Sequence, residues 1–207
     1  RLNITPNVLT TTVFVYLLGV NTHAQESLFA TIFSGRQDLK TQRSMAMLVK
    51  TLPVYTKWDE KTTVLELLQA TKQQLIGCMS NSLFSFAEVK AMNNAINSHI
   101  LFAYQGDIKP SNSELFTYQP LMENATGENL AFELVRNDAK LILHTEYHSN
   151  QYTQSFIRRL MYSYNTILEG FLHSESKDRQ LRELPILTDD QQQAIIALGT
   201  GEHLDYD

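Results

Sequence analysis

Residues 27–55 read SLFATIFSGRQDLKTQRSMAMLVKTLPVY, and their alternation of apolar runs and polar breaks sets the fold class. Residues 27–33 are short, apolar and partly β-branched, which predicts a strand ending at Ser34-Gly35-Arg36. The polar residues 37–44 read as a loop. Residues 47–55 (MLVKTLPVY) then predict a second strand, and Pro53, which has no N–H to donate, places that strand at a sheet edge or a bulge.

Upstream, Thr5-Pro6 opens a helix: threonine caps, and proline follows where its missing N–H costs nothing. Leu9, Val13, Tyr16, Leu17 and Val20 repeat at helical spacing and define its buried face. Downstream, Thr62 or Thr63 caps a second helix that buries Val64, Leu67, Leu68, Leu75 and Ile76. A shorter helix is expected over 86–92, and a well-buried strand over 100–104. Residues 106–129 are rich in Ser, Asn, Pro and Gly and read as loop with one or two short strand pieces. Residues 130–135 and 141–147 form a hairpin turning at Asn137-Asp138, with Leu141 and Leu143 facing inward. A long helix over 153–173 carries Phe156, Leu160, Tyr164, Ile167, Leu168 and Phe171 on one side. Residues 174–182 are charged and linker-like, Thr188 to Gln191 is a capping box for a last short helix ending at Gly199, and an acidic tail follows. The order α-β-β-α-α-β-β-β-α gives a layered α/β or α+β lobe. Its natural division is a body over 1–173 and a linker over 174–207.

Composition narrows the function. The chain has 207 residues, 43% hydrophobic and 19% charged, enough to bury a core and too apolar to stay disordered. A net charge of −5 offers no basic face, which argues against nucleic acid and anionic membrane as partners. The single cysteine excludes an internal disulfide and fits a reducing, cytoplasmic setting. The longest apolar-rich stretch, 13–20, is too short to span a bilayer. With neither a methionine nor a signal pattern at its start, Arg1 reads as the edge of a fragment.

Generic chemistry declares no enzyme. His144, Glu146 and His148 share one face of a strand and could converge on a metal, but no fourth ligand accompanies them and a solvent-facing strip is the better reading. Cys78 has no activating neighbour and reads as a packed thiol. Ser34-Gly35 lacks the Gly-x-Ser-x-Gly elbow, and the eight scattered glycines form no phosphate cradle. Tyr152, Tyr162 and Tyr164 read as packing and rim.

The ordered series of segments resembles the condensation domains of nonribosomal peptide synthetases. Ser34-Gly35-Arg36 followed by residues 45–53 (MAMLVKTLP) is similar to the family run Ser-Gly-Arg, then Ile/Val-Gly-x-Phe-Val-Asn-Thr-Leu-Pro. Residues 100–105 (ILFAYQ) resemble Val-Met-Phe-x-Tyr-Gln, and residues 141–147 with the helix after them resemble the closing strand and last helix. Residues 184–188 (LPILT) and their capped helix resemble the linker into an adenylation domain.

The resemblance implies a chloramphenicol acetyltransferase-like α/β lobe, a mixed sheet packed against helices, forming the C-terminal half of a two-lobed domain with a tunnel between the lobes. Its signature, His-His-x-x-x-Asp-Gly, belongs to the N-terminal lobe, and no two of the six histidines here are adjacent. This half is therefore expected to hold no catalytic residue and no metal. Arg36 would be a structural salt-bridge partner for the aspartate of that motif, and Ser34, Gly35, Tyr104 and Gln105 would line the tunnel. Implied partners are the N-terminal lobe, a downstream adenylation domain, and donor and acceptor peptidyl carrier proteins, which bring phosphopantetheine with them; no cofactor would be bound directly. The chain departs from the family at Ala46 (glycine), Lys50 (asparagine) and Tyr55 (arginine), and residues 81–86 (NSLFSF) replace a His-Gln-x-Tyr-Pro-like segment. An epimerisation-type or degenerate lobe serving as a platform thus stays open, as does a stand-alone acyltransferase using coenzyme A.

Overall fold

A computed structural model of the chain describes residues 4–36, 38–92, 99–107, 127–137, 140–173 and 178–200. Its centre is a five-stranded sheet in the order β2-β1-β3-β4-β5. The strands are β1 (Glu26–Phe33), β2 (Lys50–Lys57), β3 (Ile100–Asp107), β4 (Leu130–Asn137) and β5 (Lys140–Tyr147). The three central strands β1, β3 and β4 run parallel, and an antiparallel strand closes each side. The helices are α1 (Pro6–Thr22), α2 (Leu39–Gln42), α3 (Val64–Ser80), α4 (Phe86–Met92), α5 (Gln154–Leu172) and α6 (Asp189–Gly199).

Helix α1 starts where Thr5 Oγ1 accepts the Val8 N–H at 3.3 Å, with Pro6 in the first turn. It is not one-faced. Val13, Tyr16 and Leu17 are buried as expected and Leu9 and Val20 partly so, but Phe14, Val15 and Leu18 are buried as well. The reason is position: α1 lies between the sheet and the helices α3 and α5. Three threonines accompany this burial because their hydroxyls bond within the helix, Thr10 to Pro6 O, Thr11 to Asn7 Oδ1 and Thr12 to Val8 O. Phe14 meets the sheet, its ring 5.0 Å from Phe29, 4.7 Å from Phe102 and 5.0 Å from Phe132. On the opposite face Ala30, Leu101 and Ala131 pack with Phe86 of α4.

Helix α5, capped by Thr153, completes the layer with Ile157, Leu160, Tyr164, Ile167 and Phe171, while Phe156 and Leu168 are only partly buried. Tyr164 donates its hydroxyl to Thr10 O, and burial pushes its ionisation far up. Helix α3 is closed by a Thr63–Glu66 capping box. Ile76, expected inside, is 42% exposed, because it sits about a third of a turn away from the Val64–Leu67–Leu68–Thr71–Leu75 stripe.

Other departures have equally local causes. Residues expected to be loop over 37–44 contain the one-turn helix α2, for which Asp38 supplies a capping box with Thr41. Strand β2 starts at Lys50 rather than Met47, since β1 ends at Phe33, the partner of Lys50, and nothing remains to pair residues 47–49. Pro53 does sit in an edge strand. Strand β3 runs on to Asp107 through a bulge between Tyr104 and Gly106, so the expected loop does not begin at Gly106. The rest of that loop, 108–126, and the expected turn residue Asp138 lie outside the described residues. Leu143 packs against the core, but Leu141, at the hairpin end of an outer strand, is 46% exposed.

Residues 179–184 close onto the body: Val64 N–H donates to Arg179 O, Leu181 N–H to Thr62 O, and Leu181 and Leu184 are buried. Tyr16 clamps this segment by donating to Leu181 O at 2.6 Å. Tyr16→Phe is expected to cost about 1 kcal/mol, because the Leu181 carbonyl gives up this bond and keeps only the Leu184 N–H at 3.1 Å. Burial raises the Tyr16 hydroxyl from 10.0 to about 12. Between those values the unfolded phenol has released its proton while the folded one keeps it, so stability falls as pH rises through that window. Urea unfolding at pH 7 and above pH 10 checks both effects: the variant is less stable at neutral pH and shows a shallower alkaline fall.

Candidate functional site

Ser34, Gly35, Arg36, Tyr104 and Gln105 lie toward one end of the sheet, after or near the ends of two neighbouring parallel strands. β1 and β3 are parallel with Ala30 beside Leu101 and Thr31 beside Phe102. Continuing that register brings Ser34–Arg36 and Tyr104–Gly106 to the same edge, at the C-terminal ends of both strands, where ligands of α/β sheets are commonly bound. β2, being antiparallel to β1, begins at this edge with Lys50. Parallel pairing of strands distant in sequence is therefore what assembles the site.

Ser34 is exposed and its Oγ accepts the Arg36 N–H at 3.4 Å. Gly35 has φ +68°, and a Cβ there would stand 2.2 Å from Leu48 O. The chain doubles back tightly at this point, and only glycine fits both the torsion and the space. Arg36 is half-buried and donates from Nη1 to Thr41 O at 2.6 Å and Ser44 O at 2.9 Å, and from Nη2 to Ala46 O at 2.9 Å. Tyr104 is half-buried against the main core, and exposed Gln105 donates through Nε2 to Glu133 Oε1 on β4. Lys50, a departure from the family pattern, donates its ammonium to Ser82 O, tying the start of β2 to the turn after α3. The carbonyls at 41, 44 and 46, Glu133 and Ser82 were not foreseen. Backbone acceptors leave no mark in a sequence.

The other candidates separate from this edge. Cys78 Sγ donates to Pro53 O at 2.9 Å, and burial raises its pKa, which keeps the thiol protonated and a poor nucleophile. It lines an apolar cleft of about 740 Å³ between the end of α3, α4 and the β2 edge, with Pro53, Tyr55 and Phe84. His144 and Glu146 are exposed on β5, and His148 follows the strand. Among the described residues no three His, Cys, Asp or Glu side chains gather as a metal site, and no helix is long and apolar enough to cross a membrane. Tyr164 is core, Tyr162 is exposed, and Tyr152 stacks on Phe156.

A mixed sheet of this order, covered by helices, with a glycine-arginine turn at the ends of its parallel strands, is a chloramphenicol acetyltransferase-like α/β lobe. The condensation domain family model matches residues 2–196, and the chain belongs to that family. Bacitracin synthase 1 of Bacillus licheniformis is 22% identical over 195 residues, 88% of this chain and 4% of the relative. A crystal structure of a four-domain nonribosomal peptide synthetase bound to AMP and glycine matches with a TM-score of 0.77 at 16% identity, covering 91% of this chain and 16% of that one. The X-domain in complex with OxyB from teicoplanin biosynthesis gives 0.74 at 17% identity, covering 91% and 44%. The first condensation domain of the calcium-dependent antibiotic synthetase gives 0.66 at 12% identity, covering 87% and 42%. The chain thus spans less than half the length of the proteins it resembles.

Proposed function

We propose that this chain is the C-terminal lobe of a nonribosomal peptide synthetase condensation domain and forms one wall of the tunnel in which two carrier-bound thioesters meet. What supports the reading is that Ser34, Gly35 and Arg36 follow β1 while Tyr104 and Gln105 lie toward the end of its parallel neighbour β3, in a chain that belongs to the condensation family. In the reaction the acceptor amine attacks the donor thioester carbonyl; the C–N bond forms, the C–S bond breaks, the donor phosphopantetheine leaves as its thiol, and the amine gives up a proton. Holding both substrates in one tunnel supplies much of the rate, and a histidine of the other lobe manages the proton. This lobe contributes shape: residues 1–173 form the wall, Arg36 faces the motif aspartate of the other lobe, and residues 174–207 lead to an adenylation domain. No resident cofactor is needed, and the setting is cytoplasmic.

The test is reconstitution with donor and acceptor carrier proteins loaded with aminoacyl groups, read by mass spectrometry of the released product. The 207 residues alone are expected to give no dipeptide, and addition of the N-terminal lobe to restore it. Dipeptide from the isolated chain would refute this division of labour.

Helix α6 supports a second reading, a platform for neighbouring domains. It buries no residue and leaves Ile195, Ile196 and Leu198 exposed, an apolar stripe without a described partner on the chain. Pull-down of the downstream adenylation domain is expected to weaken when residues 189–207 are removed, which spares the buried Leu181 and Leu184; equal capture would count against the platform.

A further inference from the structure

The loop between β1 and β2 has polar rather than apolar supports. None of residues 38–50 is buried, and Leu39, Met45 and Met47 are exposed by 72%, 105% and 88%. No hydrophobic packing holds such a segment in one shape. Two devices do. Asp38 caps α2, accepting the Thr41 N–H at 2.7 Å. Arg36 then gathers the carbonyls of Thr41, Ser44 and Ala46 onto one planar guanidinium. These are charge-assisted bonds in fixed geometry, which a lysine ammonium does not reproduce.

We propose that Arg36 is a positioning residue that staples loop 38–48 from within the chain, and through it sets the rim that this lobe presents to the one completing the domain. The staple uses three of the five guanidinium N–H groups. Nη1 is spent on Thr41 and Ser44 and one Nη2–H on Ala46, whereas no described residue accepts from Nε–H or the second Nη2–H. The Nε–H, on the side of the guanidinium that the Nη1 bonds leave open, can donate to a carboxylate. Arg36 therefore serves both sides: an ion pair across the lobes adds to the staple instead of replacing it, and couples docking of the other lobe to the shape of the loop. The rim assignment rests on the condensation reading; the staple does not.

Hydrogen exchange on the 207-residue chain tests the staple. In Arg36→Ala the Thr41, Gln42 and Ser44 amides are expected to exchange about ten-fold faster, with α1 and α5 unchanged. Arg36→Lys should recover little of the protection, and millimolar methylguanidinium should recover much of it in the alanine variant. Exchange over 38–48 identical to the parent would overturn the staple. The positioning role is read in the domain completed by its N-terminal lobe, where Arg36→Ala is expected to lower the condensation rate at saturating carrier proteins about ten-fold with KM little changed. A loosened loop with the full rate would overturn the positioning role. If the completed parent domain forms no amide, the condensation reading fails while the exchange data still decide the staple.

Discussion

Phe14→Ala is expected to lower the unfolding free energy by about 3–5 kcal/mol, the cost of emptying a fully enclosed aromatic site. Phe14 is 0% exposed and its ring is the point where α1 touches three adjacent strands through Phe29, Phe102 and Phe132. Those rings belong to the three parallel strands, whose backbones cannot collapse inward without breaking the ladder, so the cavity stays open. Aromatic contacts add roughly 0.5–1.5 kcal/mol per pair beyond area burial, which pushes the effect toward the upper end. Against a total stability of about 5–15 kcal/mol, the loss removes a large fraction of the margin. Urea unfolding followed by far-UV circular dichroism measures it, and the melting midpoint should drop by about 6–20 °C. Phe84→Ala is the matched control: that ring is 53% exposed, and its loss should change stability by less than about 1 kcal/mol. Equal effects of the two substitutions would contradict the packing of α1 on the sheet.

How far the sequence reaches follows from the same contacts. The starts of α1, α3, α5 and α6 were legible because an N-cap is a local event: Thr5, Thr63, Thr153 and Thr188 each bond an amide three residues on. The all-round burial of α1 was not, since it depends on what lies on its far side. Ile76 and Leu141 are apolar residues that chemistry places inside and geometry leaves out. The first lies off the helix stripe and the second at a hairpin end. Helix α2 is a single turn whose signal, Asp38 with Thr41, is too short to stand out among the polar residues around it. The site divides the same way. Ser34, Gly35, Arg36, Tyr104 and Gln105 were named through a resemblance, residue by residue. Their placement toward the same end of the sheet comes from the parallel pairing of β1 with β3, a long-range contact that no local pattern encodes.

Gly35→Ala is expected to have a large functional effect for the addition of one methyl group. Two separate costs meet at this position. At φ +68° an L-residue carries left-handed strain of about 1–2 kcal/mol. The new Cβ would also stand 2.2 Å from Leu48 O and 3.1 Å from Leu48 C, both backbone atoms, so relief requires the chain itself to move. Moving Leu48 displaces the loop that Arg36 holds, and pulls on Lys50 where β2 begins. Gly127→Ala separates the two costs: Gly127 has φ +75° and nothing within 4 Å of its would-be Cβ, so it reports strain alone. The expected stability losses are about 1 kcal/mol at Gly127 and roughly 2–4 kcal/mol at Gly35, the difference being the clash. In the completed domain a displacement of about 1 Å in a positioning element is worth on the order of 100-fold in rate, so Gly35→Ala should nearly abolish condensation while Gly127→Ala keeps it. Dipeptide formation by both variants, set against their urea midpoints, decides the matter. Activity in Gly35→Ala at the parental level would mean that the turn after β1 does not shape the reacting tunnel.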